Sequence, residues 1–226
     1  MAFNIATFKT RTLTSIVFAV IMIVGLLWNG WSFIVLFTII HFGCWWEFIK
    51  LLKKIYSEKF KYYVPLGLLY LTLPIFLMFY LRFALLIPAS GNYSKIIPCT
   101  IIFSIWINDT MAYIVGSLIG KTTLSKISPK KTWEGTLGGV VLCITATALI
   151  SWRLGFNVMI FTIIAVLCAV FGTVGDLFES KLKRLAGVKD SGSLFLGHGG
   201  FLDRFDSLLV ATPFAWIYIF LLLYTQ

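Results

Sequence analysis

Apolar runs long enough to cross a bilayer recur along this chain from end to end, and nothing else in the sequence constrains its fold as much. A transmembrane helix needs roughly 17–25 consecutive, mostly apolar residues. Seven such runs are read here, approximately Leu13–Trp28, Trp31–Ile49, Tyr62–Leu81, Ile96–Ile119, Thr136–Trp152, Phe156–Phe178 and Ser207–Tyr224. Only 12% of the 226 residues are charged, about half the share of an ordinary soluble domain. In lipid every backbone polar group must be bonded internally, and no segment alternates as a barrel strand does. The predicted fold is therefore all-α, a polytopic transmembrane helix bundle of about seven spans, with Asn29-Gly30 as a tight turn between the first two. The first run lacks a small-residue cleavage site and leads straight into the second, so it does not read as a secretory signal. Cys44, Cys99, Cys143 and Cys168 lie in or beside apolar stretches without metal-ligand or paired spacing, and read as packing residues.

Lys and Arg set the expected orientation. With the N-terminus in the cytoplasm, sixteen of the nineteen fall on inner segments, and only Arg82, Lys95 and Arg153 fall outside. The positive-inside rule thus puts the N-terminus and both polar loops in the cytoplasm, at the cell's inner (plasma) membrane. Topology and anionic headgroups account for much of the net charge of +10, with no nucleic acid as partner. Two regions are expected. Residues 1–95 hold N-terminal transmembrane helices with a basic cytoplasmic loop, and residues 96–226 hold the catalytic region with its cytoplasmic motif loops.

The carboxylates are distributed differently. Of nine, only Glu47 and Glu58 precede residue 100; the rest are Asp109, Glu134, Asp176, Glu179, Asp190, Asp203 and Asp206. Asp109 and Asp176 fall inside or at the end of a span, where an ionised group costs at least ~2.5 kcal/mol and normally faces a functional polar interior. The alternative for Asp109 is a structural ion pair with a neighbouring-helix Lys or Arg. Asp203 and Asp206 are three apart and share a helix face; Asp176 and Glu179 repeat that spacing at the end of the sixth span. Consecutive spans are antiparallel neighbours, which brings Asp176 to Asp203 and Asp206. Converging carboxylates repel unless a cation sits between them. Hard oxygen ligands of this kind suit Mg²⁺, which binds one or two carboxylates together with phosphate oxygens. The alternative is that Asp206 and Arg204 cap and anchor a helix end.

Two polar loops supply complementary chemistry. Gly120-Lys121, Ser128-Pro129-Lys130-Lys131-Thr132 and Glu134-Gly135 offer clustered cations, hydroxyls and glycine amides for phosphate oxygens. Twin lysines at a membrane edge also serve as topology markers. Between Ser180 and Asp206, five cations, three carboxylates, His198 and the Gly199-Gly200 pair crowd one segment. Lys183, Arg184, Lys189 and Arg204 are its phosphate-binding candidates. The glycines let the backbone approach a ligand closely. His198 either donates to a phosphate or hydrogen-bonds its neighbours.

NDTMAYIVGSLIGKTTLSKISPKKTWEG at Asn108–Gly135, GDLFESKLKR at Gly175–Arg184, the following KD and HGGFLDRFD together resemble the phosphatidate cytidylyltransferases (CDP-diacylglycerol synthases). The resemblance covers roughly the C-terminal half; the first hundred residues share only hydrophobic character with that family. It implies an all-helical membrane enzyme, a homodimer, that makes CDP-diacylglycerol and pyrophosphate from CTP and phosphatidate. It also implies metal-holding aspartates at Asp176, Asp203 and Asp206. A phosphatidate phosphate is already ionised near neutral pH, so catalysis reduces to positioning and charge neutralisation. Lys130, Lys131, Lys189 and Arg204 would then hold phosphates beside Mg²⁺, with a second cation left open. Rival readings are a CTP-dependent polyprenol or phytol kinase, a cytidylyltransferase for another lipid, or an ion-coupled transporter. No duplicated half supports the last. Gly116-x-x-x-Gly120, Gly135-x-x-x-Gly139 and Trp45-Trp46 read as helix packing and interfacial anchoring.

Overall fold

The computed structural model describes residues 5–84, 93–192 and 199–224, so His198 lies outside the described residues. Seven helices follow in order: α1 Ile5–Leu27, α2 Gly30–Tyr56, α3 Leu73–Phe79, α4 Tyr93–Ile119, α5 Trp133–Arg153, α6 Val158–Leu185 and α7 Leu202–Tyr224. A 3₁₀ turn occupies Ser57–Tyr62, and π-helical turns at Leu68–Thr72 and Tyr80–Ala84 flank α3.

Among the described residues, five helical stretches are long and apolar enough to cross a membrane: Gly30–Tyr62, Tyr93–Ile119, Trp133–Arg153, Val158–Leu185 and Leu202–Leu223. Thr14–Leu27 and Leu68–Ala84 are shorter apolar helices, and the first and third expected spans fall on them. In the third, Pro74 opens α3; its missing N–H and ring disturb the ladder at Tyr70, within the π-helical turn that precedes α3. The chain is thus a polytopic helical membrane protein, as its composition predicts.

Local signals fix the helix ends. Asn29 Oδ1 accepts from Ser32 N at 2.7 Å, while Ser32 Oγ accepts from Asn29 N at 3.1 Å. This reciprocal cap starts α2 directly after the expected turn. Along α2, Phe33, Phe37, Ile40, Cys44, Glu47 and Leu51 are buried, whereas Val35, Ile39, Phe42 and Trp46 form an exposed apolar stripe. The three-to-four-residue spacing gives the helix one packed face and one lipid-facing face.

Glycines set the helix contacts that matter for the site. α4 packs on α5, and α6 on both α5 and α7. A Cβ on Gly139 would stand 2.8 Å from Asn108 O and from Ala112 Cβ. Gly135 is equally tight against Gly116, so the two small-residue motifs meet where α4 and α5 touch. A Cβ on Gly175 would stand 2.5 Å from Asp206 O. Only glycine lets α6 and α7 approach so closely, at the level from which Asp176 and Asp206 project.

Candidate active site

The loop between α4 and α5 is closed on itself. Lys131 N donates to Ser128 O at 3.0 Å, which makes Ser128–Lys131 a tight turn with Pro129 at its second position. Leu124 N donates to Lys131 O at 2.7 Å, and Trp133 N to Thr122 O at 2.9 Å. Thr132 Oγ1 then caps α5 by accepting from Gly135 N at 3.1 Å. Glu134 draws in the far side of the loop, accepting from Lys121 N and Thr122 N at 3.2 Å.

This folding presents Ser128, Lys130, Lys131 and Thr132 to a cavity of about 440 Å³ among α4, α5, α6 and α7. Asn108 and Asp109 of α4, Asp176 of α6, and Asp203 and Asp206 of α7 line the same cavity, with hydroxyls from Thr136, Thr173 and Ser207. Segments separated by up to about a hundred residues of sequence therefore share one wall. Asn108 Nδ2 donates to Asp109 Oδ1 at 3.4 Å. Lys131 is ion-paired with Asp176 across the cavity. Burial pushes the Lys131 ammonium below the ordinary lysine value, and the nearby charges of Asp109 and Asp206 pull it back up.

Three carboxylates, Asp176, Glu179 and Asp206, bring oxygens within 4.8 Å of one another. At an effective dielectric near 20, two like charges that close repel by about 3 kcal/mol. Glu179 is fully buried, and its Oε1 has no hydrogen-bond partner among the described residues. Hard oxygen donors at this spacing, one of them an orphaned buried atom, fit a magnesium ion.

Asp203 was expected in that trio beside Asp176 and Asp206. It lines the cavity, but protein donors already engage its oxygens: Oδ1 takes Lys183 Nζ at 2.5 Å, and Oδ2 accepts from Ser191 N and Ser191 Oγ at 2.9 Å and from Gly200 N at 2.8 Å. Asp203 lies one helical turn nearer the preceding loop than Asp206, so its carboxylate reaches loop donors. Glu179 stands with the trio instead, and also pairs with Lys183.

The other expected residues divide clearly. Lys183 is buried between Glu179 and Asp203. Arg184 is exposed and donates to Val188 O at 3.2 Å. Lys121, Lys189 and Arg204 are exposed and do not line the cavity. The Gly199-Gly200 pair does make close approaches, but to carboxylates of the protein. Gly199 has φ +80°, and a Cβ there would stand 2.5 Å from Asp203 Oδ2; a Cβ on Gly200 would strike the Glu47 carboxylate.

Glu47 is the residue the sequence reading passed over. Buried on α2, it accepts from Ser191 Oγ at 2.6 Å and from Phe201 N and Leu202 N at 2.9 Å each. Its charge thus sits on the amides that open α7, where a helix favours an anion. A carboxylate on the buried stripe of an otherwise apolar helix was the available signal. Glu179, three residues after Asp176 and on the same helix face, was the signal for the trio.

The sequence matches the cytidylyltransferase family over residues 68–222, a stretch that contains every residue named on the cavity wall. The chain belongs to this family. It is 50% identical over 113 residues to phosphatidate cytidylyltransferase 4, chloroplastic, of Arabidopsis thaliana, covering 49% of this chain and 29% of that protein. It is 46% identical over 121 residues to the phosphatidate cytidylyltransferase of Synechocystis, covering 53% and 41%. With that of Staphylococcus haemolyticus the identity is 44% over 112 residues, covering 48% and 43%. The chain thus spans less than half the length of these curated relatives. Glu47 lies outside the family match.

Proposed function

We propose that this cytidylyltransferase-family chain transfers the cytidylyl group of CTP to phosphatidate, giving CDP-diacylglycerol and pyrophosphate. One observation carries the reading: the Ser128–Thr132 loop and the Asp176 and Asp206 carboxylates line the same cavity between membrane helices, with the buried Glu179 carboxylate within 4.8 Å of both. The names of the relatives point to the same chemistry.

In this reading Asp176, Glu179 and Asp206 hold Mg²⁺, which when bound neutralises charge on the triphosphate. Lys130, Lys131 and the hydroxyls of Ser128 and Thr132 hold phosphate oxygens. Asp109 and Asp176 keep the Lys131 ammonium over the cavity. Asp203 acts through position, fixing Lys183 and the loop that leads into α7. An oxygen of the phosphatidate phosphate bonds to the α-phosphorus of CTP. The bond from that phosphorus to the β-bridging oxygen breaks, and pyrophosphate leaves with the electron pair. The attacking oxygen is already ionised near neutral pH, so no strong general base is required. Acyl chains stay in the bilayer while the headgroup meets CTP from the cytoplasm. His198, Lys121, Lys189, Arg184 and Arg204 remain proposed as outer contacts to substrate. Residues 96–226 carry the chemistry, and the enzyme works as a homodimer in the cell's inner (plasma) membrane.

The test is direct. Detergent-purified protein with labelled CTP, Mg²⁺ and phosphatidate is expected to yield a cytidine-bearing lipid and pyrophosphate. CDP and a phosphorylated polyprenol would identify a kinase instead. Full turnover in Asp176→Asn would reject the metal-holding role.

A further inference from the structure

Glu47 is a buried carboxylate on α2, 4% exposed, that neither lines the substrate cavity nor stands with the trio. A charge at such a place in a membrane bundle is costly unless answered, and it normally serves a function. Its partners are Ser191 and the amides that open α7. Oε1 accepts from Phe201 N and Oε2 from Leu202 N, each at 2.9 Å, and Oε2 also accepts from Ser191 Oγ at 2.6 Å. A short polar residue just before a helix usually supplies a cap of this kind. Here that residue is Phe201, which has no side-chain oxygen, and α2 supplies the acceptor instead.

The fit around Glu47 is tight. A Cβ on Gly43, one turn earlier on α2, would strike the Phe201 ring, and a Cβ on Gly192 or Gly200 would strike the Glu47 carboxylate. Both the ring and the backbone of Phe201 are thus seated on α2. Two routes lead from this seat to the trio. Asp206 follows Leu202 by four residues, one turn and about 6 Å along the same face of α7. Ser191 Oγ also lies 2.9 Å from Asp203 Oδ2, so one hydroxyl proton serves two carboxylates. Asp203 Oδ1 takes Lys183 Nζ at 2.5 Å, and Lys183 is ion-paired with Glu179. Glu47 therefore bears on Asp206 through the helix and on Glu179 through a chain of bonded polar groups.

We propose that Glu47 is a positioning residue of the active site: by holding the first turn of α7 against α2, it keeps the Asp206 and Glu179 oxygens at metal-binding spacing. The inference rests on the reading of Asp176, Glu179 and Asp206 as the metal site, and it adds to that site a helix outside the family match. Outer partners that orient metal ligands change metal affinity by roughly ten- to a hundredfold.

Mn²⁺ binding to the detergent-purified full chain, read by electron paramagnetic resonance well below Tm, tests it. Glu47→Ala is expected to weaken binding about tenfold or more, with the wild-type helix signal kept in circular dichroism. Glu47→Gln keeps the length and one acceptor oxygen, so its loss should be smaller; it carries the test if Glu47→Ala fails to fold. Asn29→Ala removes the cap at the start of α2, and it should lower Tm while leaving Mn²⁺ affinity unchanged. Wild-type affinity in folded Glu47→Ala overturns the proposal, as does wild-type affinity in Glu47→Gln where Glu47→Ala does not fold. A loss in Asn29→Ala as large as in the Glu47 variant would trace the effect to a loosened α2, and overturns it too. Asp206→Asn separates this inference from the reading beneath it. Wild-type affinity in that variant would reject the trio as the metal site, and the inference with it. Lost affinity in Asp206→Asn with none lost in the Glu47 variants overturns the inference alone.

Discussion

Asp203 and Asp206 stand three residues apart on α7, yet their oxygens meet different surroundings. Asp203 is bonded to Lys183, Ser191 and Gly200, whereas Asp206 faces Asp176 and Glu179. Asp203→Asn leaves the buried Lys183 and two backbone donors poorly answered, a loss of about 3 kcal/mol or more, so Tm should fall. Asp206→Asn removes one charge from a repelling trio. It should leave Tm unchanged or higher while abolishing Mn²⁺ binding, read by electron paramagnetic resonance, together with turnover. If the two variants behave alike, the division of roles is wrong. Glu47→Ala belongs beside Asp203→Asn. It strands three donors, each worth ~1–3 kcal/mol when buried unmet, and Glu47→Gln, which keeps acceptor capacity, should lose less in thermal unfolding.

At the scale of elements, glycine contacts decide whether the carboxylates meet. Gly175→Ala would push a methyl against the backbone oxygen of Asp206, so α6 and α7 must part. A displacement of 1 Å at a reacting centre is worth roughly a hundredfold in rate, and turnover should fall toward that extent with the helices still formed by circular dichroism. Gly187→Ala is the contrast: φ is +66° and nothing lies within 4 Å of the added methyl, so it should lose about 1 kcal/mol of stability and keep its rate. The helices, the Asn29 turn and the lysine loop were legible in the sequence because each rests on local spacing, capping or turn chemistry. The meeting of Asp176 with Asp206 was legible because antiparallel neighbours place adjoining ends together. Glu47 was legible only as a carboxylate on a buried helix stripe; its partners were not, since they lie 144 to 155 residues away. The place of Glu179 was legible in its three-residue spacing from Asp176, but the engagement of Asp203 was not, because its donors Lys183, Ser191 and Gly200 come from α6 and the loop before α7.

Over the whole molecule, charge is segregated along the bundle. By the order of the spans, sixteen of the nineteen Lys and Arg fall on segments of one side, while Arg82, Lys95 and Arg153 fall on the other. Positive residues on short loops set orientation during insertion, so the end that carries the lysine loop should face the cytoplasm. The native cysteines Cys44, Cys99, Cys143 and Cys168 are all buried, and single engineered cysteines can report the orientation without competition. Lys126→Cys lies on the exposed lysine loop and Lys95→Cys on the exposed start of α4. A membrane-impermeant maleimide should label Lys95→Cys in intact cells and Lys126→Cys only in inverted vesicles. The opposite pattern would face the proposed phosphate-binding loop away from the cytoplasm, and no arrangement of Lys130, Lys131 and the trio could then carry the proposed reaction. Orientation is thus a condition on the chemistry as much as a property of the fold: the lysines that steer the chain into the membrane lie on the same loops that would bind the triphosphate.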